Sequence, residues 1–283
     1  MEKCVEGRKS LRTFRYTKIF CMSIKNFVPV NNNIDKLIAF TPSLSAAWRQ
    51  HQQIDSKPFY NETIDIVSSL KDKGWNVDGV YENRNKKSRK IANHCVKLTH
   101  PDLTMKIGNK NEGFANMYIT NSCNGSSPLN MDFGMYRLVC RNGHIIKDIV
   151  ADTKIKHTEK DYNRLPQIIA NLEDKIQPMF KKFESFKNTT LTSSQLKDLL
   201  YNASKLRDFD RNTSLAVRNQ LLNVHRDEDK GDDLWSVYNR LQENLIKPNM
   251  LVGPDGKIIS GVNNPLENIK VNQDLYELVE SYA

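Results

Sequence analysis

The sequence predicts an α+β protein: a mainly antiparallel sheet with a flanking helix, followed by a C-terminal region of long helices. Three observations carry this. Asn142-Gly143 stands between two β-prone runs, residues 135–140 and 145–150, and Asn-Gly accepts the positive φ angles of a type I′ turn. Residues 77–81 and 94–98 read as a second pair of strands around a charged connection. From residue 161 onward Leu165, Ile168, Ile169, Leu172, Ile176, Met179, Phe180 and Phe183 recur at spacings of three and four, the signature of an amphipathic helix.

Taken in order, residues 1–35 form a basic N-terminal arm, with Lys3, Arg8, Lys9, Arg12, Arg15, Lys18 and Lys25. Residues 36–160 hold the sheet. Thr41-Pro42 reads as the N-cap and first position of a short helix through Ala46, Ala47 and Trp48. A second helix carries Ile64, Val67 and Leu70 and ends at Gly74, with Trp75 anchoring it to the sheet. Asn121-Ser122 and residues 124–128 are turn formers. Residues 161–283 are helical. Pro178 should kink the first long helix. A helix follows from residues 192–194, another capped by Asp232 covers residues 233–247, and a final helix covers residues 272–282. Between them, the acidic run 227–233 reads as a solvated linker.

The chain has 283 residues, 42 Lys and Arg against 33 Asp and Glu, and a formal charge of +9. That length can bury a sizeable core. Mean hydropathy is −0.60, and no run approaches the roughly 18 apolar residues of a membrane span. The apolar patch 19–22 is too short for a signal-peptide core, so the expectation is a cytoplasmic protein without a membrane partner. The positive excess favours a polyanion; a Lys- and Asn-rich composition bias is the bland alternative. Five cysteines, an odd number without a CxxC pair, suit reduced thiols.

The densest cationic stretch is residues 82–90, with Arg84, Lys86, Lys87, Arg89 and Lys90 and with Tyr81 at its base. Such a tip can grip a nucleic-acid backbone, or merely keep a loop solvated. Arg137 is a cation in an otherwise apolar strand: it faces solvent by alternation or binds phosphate. Tyr136 is a second stacking candidate, and Arg141 and His144 flank the predicted turn tip. The six histidines match no standard zinc spacing, so no metal and no cofactor are expected. A nucleophilic pair of Cys140 with His144 or His157 would require a depressed thiol pKa, whereas a strand Cys is ordinarily a small hydrophobe.

Phe40-Thr41-Pro42-Ser43, Gly74-Trp75, Asn121-Ser122, Gly125-Ser126-Ser127, Gly134, the run from Arg137 through Cys140 to Asn142-Gly143, His157, and Asp233-Leu234-Trp235 with Gln242-Glu243-Asn244 occur in that order. Over residues 37–283 this resembles the phage/plasmid-like family known as domain of unknown function 932. The resemblance implies a mobile-element origin and family-motif roles for Asn121, Ser122, Arg137, Cys140, Asn142, Gly143, His157, Trp235, Glu243 and Asn244, with no established reaction. The order helix, hairpin-built sheet, long helix is also that of single-strand-annealing proteins. Together these give the expectation of a non-enzymatic nucleic-acid-binding protein, its partner single-stranded DNA, contacted by Tyr81, Arg84, Lys86, Lys87, Arg89, Lys90, Tyr136, Arg137, Arg141 and His144. The alternatives are an interaction protein that blocks a host defence or host enzyme, and a Cys/His-dependent enzyme. Homo-oligomers and host proteins are further partners that the sequence allows.

Overall fold

The computed structural model describes residues 27–44, 62–83, 93–107, 110–122, 127–138, 143–146 and 154–283. Among these, seven strands form one antiparallel sheet and eight α-helices accompany it. The strands β1 (Val28–Pro29), β2 (Asn76–Glu82), β3 (Asn93–Ile107), β4 (Lys110–Ser122), β5 (Leu129–Arg137) and β6 (Gly143–Ile146) lie in chain order; β7 (Lys154–Ile155) pairs with β5 beyond β6. The expected α+β class, with helices following the sheet, is what the chain adopts.

Side chains alternate across a pleated strand, and the register turns this into layers. Val80, Val96, Ile119 and Met131 are successive cross-strand partners, as are Leu98, Met117 and Phe133, and all are buried on one face. The same core takes in Ile66, Val67 and Leu70 of α2 (Thr63–Lys71), Phe183 and Phe186 of α4 (Leu172–Lys187), and Leu241 and Leu245 of α7 (Leu234–Ile246). On the other face Cys95, Tyr118 and Ile145 cluster with Ile269 of α8 (Pro265–Glu280). Trp75 is buried with its ring edge-on to Phe133, the expected link between helix and sheet, and Gly74 ahead of it has φ of +90°. Cys95 is a buried free thiol whose pKa burial and neighbouring Asp132 push up; the remaining cysteines lie outside the described residues.

Several boundaries differ from expectation, each for a local reason. Thr41 closes a helix instead of opening one. The Asn33 side chain accepts from Lys36 N–H and starts α1 (Ile34–Phe40), and the Thr41 N–H ends it on the Leu37 and Ile38 carbonyls. The 3-10 helix Pro42–Leu44 follows; Ala46, Ala47 and Trp48 lie outside the described residues. The Asn142-Gly143 hairpin is corrected too. Tyr136 pairs with Gly143 and Met135 with His144, so Gly143 belongs to β6 and the connection lies ahead of it. Glycine is there for space: a Cβ on Gly143 would stand 2.7 Å from Asn116 Nδ2 and 2.8 Å from Tyr118 Oη.

The long helix from residue 161 is two helices, α3 (Glu159–Ala170) and α4, broken at Asn171 with φ of −96° and ψ of 10°, and Pro178 lies within α4. Thr192 caps α5 (Ser193–Ala203) through a capping box with Gln195. Asp210 caps α6 (Arg211–Val217), which the sequence did not announce. Asp233, not Asp232, caps α7 by accepting from Ser236 N–H at 2.9 Å. Asn264-Pro265 starts the last helix seven residues earlier than expected, with Pro at a permitted first-turn position.

Candidate functional site

The end of the sheet where β2 stops and β3 starts gathers polar side chains from five separate elements. Asn83 N–H donates to the Asn93 carbonyl at 2.9 Å, bracketing the basic segment. Directly behind it lies His94, 1% exposed. Its Nδ1 is 3.0 Å from Ser43 Oγ of the 3-10 helix, and its Nε2 is 2.7 Å from Thr63 Oγ1 at the start of α2. Asn121 Nδ2 donates to Thr63 Oγ1 at 3.0 Å, and the Ser43 N–H donates to Glu82 Oε1 at 3.1 Å. Desolvation lowers the His94 pKa to about 3, so the ring is neutral, donating through one nitrogen and accepting through the other. A base that weak draws little from a hydroxyl near neutral pH. This set therefore fastens α2 and the 3-10 helix to the sheet end and fixes where residues 84–90 leave it.

Ser122 and His157 extend the same device. Ser122 Oγ donates to the Ser127 carbonyl and accepts from Ser127 N–H, both at 2.9 Å, and His157 Nε2 donates to that carbonyl at 3.1 Å. Thus the family-motif residues Asn121, Ser122 and His157 and the Ser43 segment meet at one end of the sheet. Sequence reasoning singled out Asn121 but missed its connection to Ser43, Thr63 and His94, which lie 31 to 58 residues apart along the chain.

The opposite end is a different construction. Arg137 is 1% exposed, its Nη1 and Nη2 meeting the Asp229 carboxylate at 3.0 and 2.8 Å and its Nε meeting Glu112 at 3.3 Å. Its guanidinium also lies 5.6 Å from the Trp235 ring centroid. The expectation that Arg137 faces solvent or phosphate is corrected: it is buried against two carboxylates and an indole. Asp229, read as part of a solvated linker, is 2% exposed for the same reason.

His144 is corrected likewise. It is fully buried, its Nε2 3.0 Å from Asn239 Oδ1, among Phe183, Trp235 and Tyr238, and burial followed by the charge of Arg137 lowers its pKa to about 3. Tyr136, proposed as a stacking platform, is 3% exposed; Phe114 stacks on it at 5.0 Å and Lys97 Nζ lies 4.6 Å from its ring centroid. Glu243 pairs with Arg226 and Lys247, both at 2.7 Å. Asn244 Nδ2 reaches the carbonyls of Leu221, Asn223 and Arg240. Arg137, Gly143 and Trp235 therefore join α7 to the sheet, while Glu243 and Asn244 bind segments of the helical region to one another.

Of the remaining expected contacts, Tyr81 is half-buried beside Phe27 on β2, while Arg84, Lys86, Lys87, Arg89, Lys90, Cys140, Arg141 and Asn142 lie outside the described residues. Charge is divided unevenly. Of 42 Lys and Arg, 16 lie outside the described residues, against 5 of the 33 Asp and Glu. The described frame thus holds 26 bases and 28 acids, and the whole positive excess belongs to other segments, chiefly 1–26 and 84–92. Among the described residues no three His, Cys, Asp or Glu side chains form a metal-ligand group, and no helix is long and apolar enough to cross a membrane.

No solved structure matches the chain. The UPF0380 protein YfjQ of Escherichia coli (strain K12) is 23% identical over 259 residues, 87% of this chain and 90% of its own length. The UPF0380 protein YafZ of the same organism is also 23% identical over 259 residues, with the same coverage. A family model described as "Domain of unknown function (DUF932)" matches residues 51–274, well over half of the chain. The protein belongs to the DUF932 family.

Proposed function

We propose that this chain is a non-enzymatic nucleic-acid-binding protein that holds single-stranded DNA through the basic segment joining β2 and β3, aided by the N-terminal arm. The single observation that carries the reading is the division of charge. A frame of 26 bases and 28 acids has no net attraction for phosphate, whereas residues 84–92 hold five bases and no acid. That segment springs from a sheet end stiffened by the His94 network, with Tyr81 at its base. Arg84, Lys86, Lys87, Arg89 and Lys90 would neutralise phosphates, and the half-buried Tyr81 would lie beneath a base. The proposed contacts belong to residues 1–26 and 84–92, not to the sheet face first expected around Arg137.

The test is a titration of fluorescent oligothymidylate by anisotropy from about 50 to 200 mM salt. Neutralising one phosphate of a single strand contributes about 0.7 to the slope of log affinity against log salt. Changing all five bases of residues 84–92 to Ala should make the slope shallower by about 3.5. Wild-type protein that does not bind at low salt, or whose affinity ignores salt, would sink the reading.

A further inference from the structure

We infer that Lys205, Arg211 and Arg218 form a second phosphodiester-binding surface on the helical region, organised around the exposed ring of Tyr201. The inference rests on the nucleic-acid reading and adds a place of contact to it.

Tyr201 lies near the end of α5 and is 45% exposed. Lys205 Nζ stands 3.5 Å from its ring centroid and Arg218 Cζ stands 4.8 Å from it. Lys205, Arg218 and Arg211 together hold the tyrosine hydroxyl below its usual range. Arg211 and Leu215 are one turn apart on α6, with Arg218 directly following, and Leu215 is 51% exposed. A strip of the surface thus presents three cations, a ring and an aliphatic side chain.

What distinguishes this strip is that two bases lie against one exposed ring with a third close by. Several bases elsewhere among the helices are instead paired with acids: Lys182 with Glu280, Lys187 with Asp233, Arg226 and Lys247 with Glu243, Lys230 with Asp227 and Lys257 with Asp255. Among the described residues, Lys205, Arg211 and Arg218 have no carboxylate partner, and the buried Nε of Arg218 has no hydrogen-bond acceptor. The neighbouring acid, Asp210, is engaged in capping α6 through Asn212 N–H, Thr213 N–H and Thr213 Oγ1. Three like charges around one ring repel each other, and an incoming anion relieves that repulsion. Because Lys205 already lies against the Tyr201 ring, the ring orders the cations and is not a platform for a base. Contact with the sugar-phosphate backbone, indifferent to sequence, is what this arrangement suits.

The experiment is the same oligothymidylate titration, made on full-length protein with Lys205→Ala, Arg211→Ala and Arg218→Ala combined, beside the five-fold loop variant. Loss of three phosphate contacts should make the salt slope shallower by about 2. Lys205→Gln alone, at an exposed position that leaves the fold intact, should reduce it by about 0.7. Circular dichroism melts confirm folding. If both helix variants keep the wild-type slope while the loop variant loses its share, the second surface is refuted and the loop reading stands. If the wild-type chain shows no salt-dependent binding, both fall together.

Discussion

Arg137 of β5 and Asp229 of the 3-10 helix preceding α7, 92 residues apart, face each other as a buried two-pronged ion pair at 3.0 and 2.8 Å. Removing one partner of such a pair strands the other charge in a dry interior and costs about 3–5 kcal/mol. Arg137→Met or Asp229→Leu alone should therefore destabilise strongly. The double variant should recover part of the loss, because Asp229 leaves with Arg137 while Glu112 keeps Lys110. Urea unfolding of the three variants measures this; losses that simply add in the double variant would show that the pair is not coupled.

The buried histidines set the response to acid. His94 and His144 have folded pKa values lowered to about 3, against 6.5 when exposed. The unfolded chain therefore binds more protons than the folded one between these values. Their stabilising effect is complete above pH 6.5 and is lost as pH falls from there toward 3. Each should remove about 2 kcal/mol between pH 7 and pH 5. His94→Gln should lower stability at pH 7 yet flatten its dependence on pH, which chemical denaturation at several pH values will resolve.

Gly134 has no room for a side chain. A Cβ there would meet the His144 carbonyl oxygen at 1.6 Å, an approach only glycine allows. Since the obstacle is backbone, Gly134→Ala should part β6 from β5 and leave little folded protein. Soluble yield and near-ultraviolet dichroism are the readouts, with a wild-type spectrum as the contrary result.

Asn244 ties residues 221–223 to α7 through the carbonyls of Leu221 and Asn223, and His225 Nε2 meets its Oδ1 at 2.8 Å. Asn244→Leu leaves those carbonyls unpaired at about 1–3 kcal/mol for each buried group. Amide hydrogen exchange should accelerate around residues 218–226 before the sheet responds; uniform acceleration across the chain would contradict a local fastening.

Much of this architecture could be read directly from residue order. Leu165 to Phe183 show helical spacing because α3 and α4 bury one face, whereas α7 is buried nearly all round and 94–98 is buried on both sides of its strand. What could not be read was partnership. Arg137 looks identical in sequence whether it meets phosphate or Asp229, and only the fold brings residue 229 to it. Gly143 signals a turn by its neighbour Asn142, yet its role is to make room for Asn116 and Tyr118 across the sheet. The His94 network escaped notice because hydroxyls and amides scattered over 43, 63, 94 and 121 carry no periodic signal. The loop bases were legible because charge density is a local property of the chain.

β1 has two residues, the second of them Pro29. Proline carries no N–H, and so short a stub gives an arriving strand little to zip onto. Open sheets are prone to grow by recruiting copies of themselves along such a border. Here that border ends in a residue that cannot complete the ladder, so the β1 side of the sheet resists extension by a second copy of the chain.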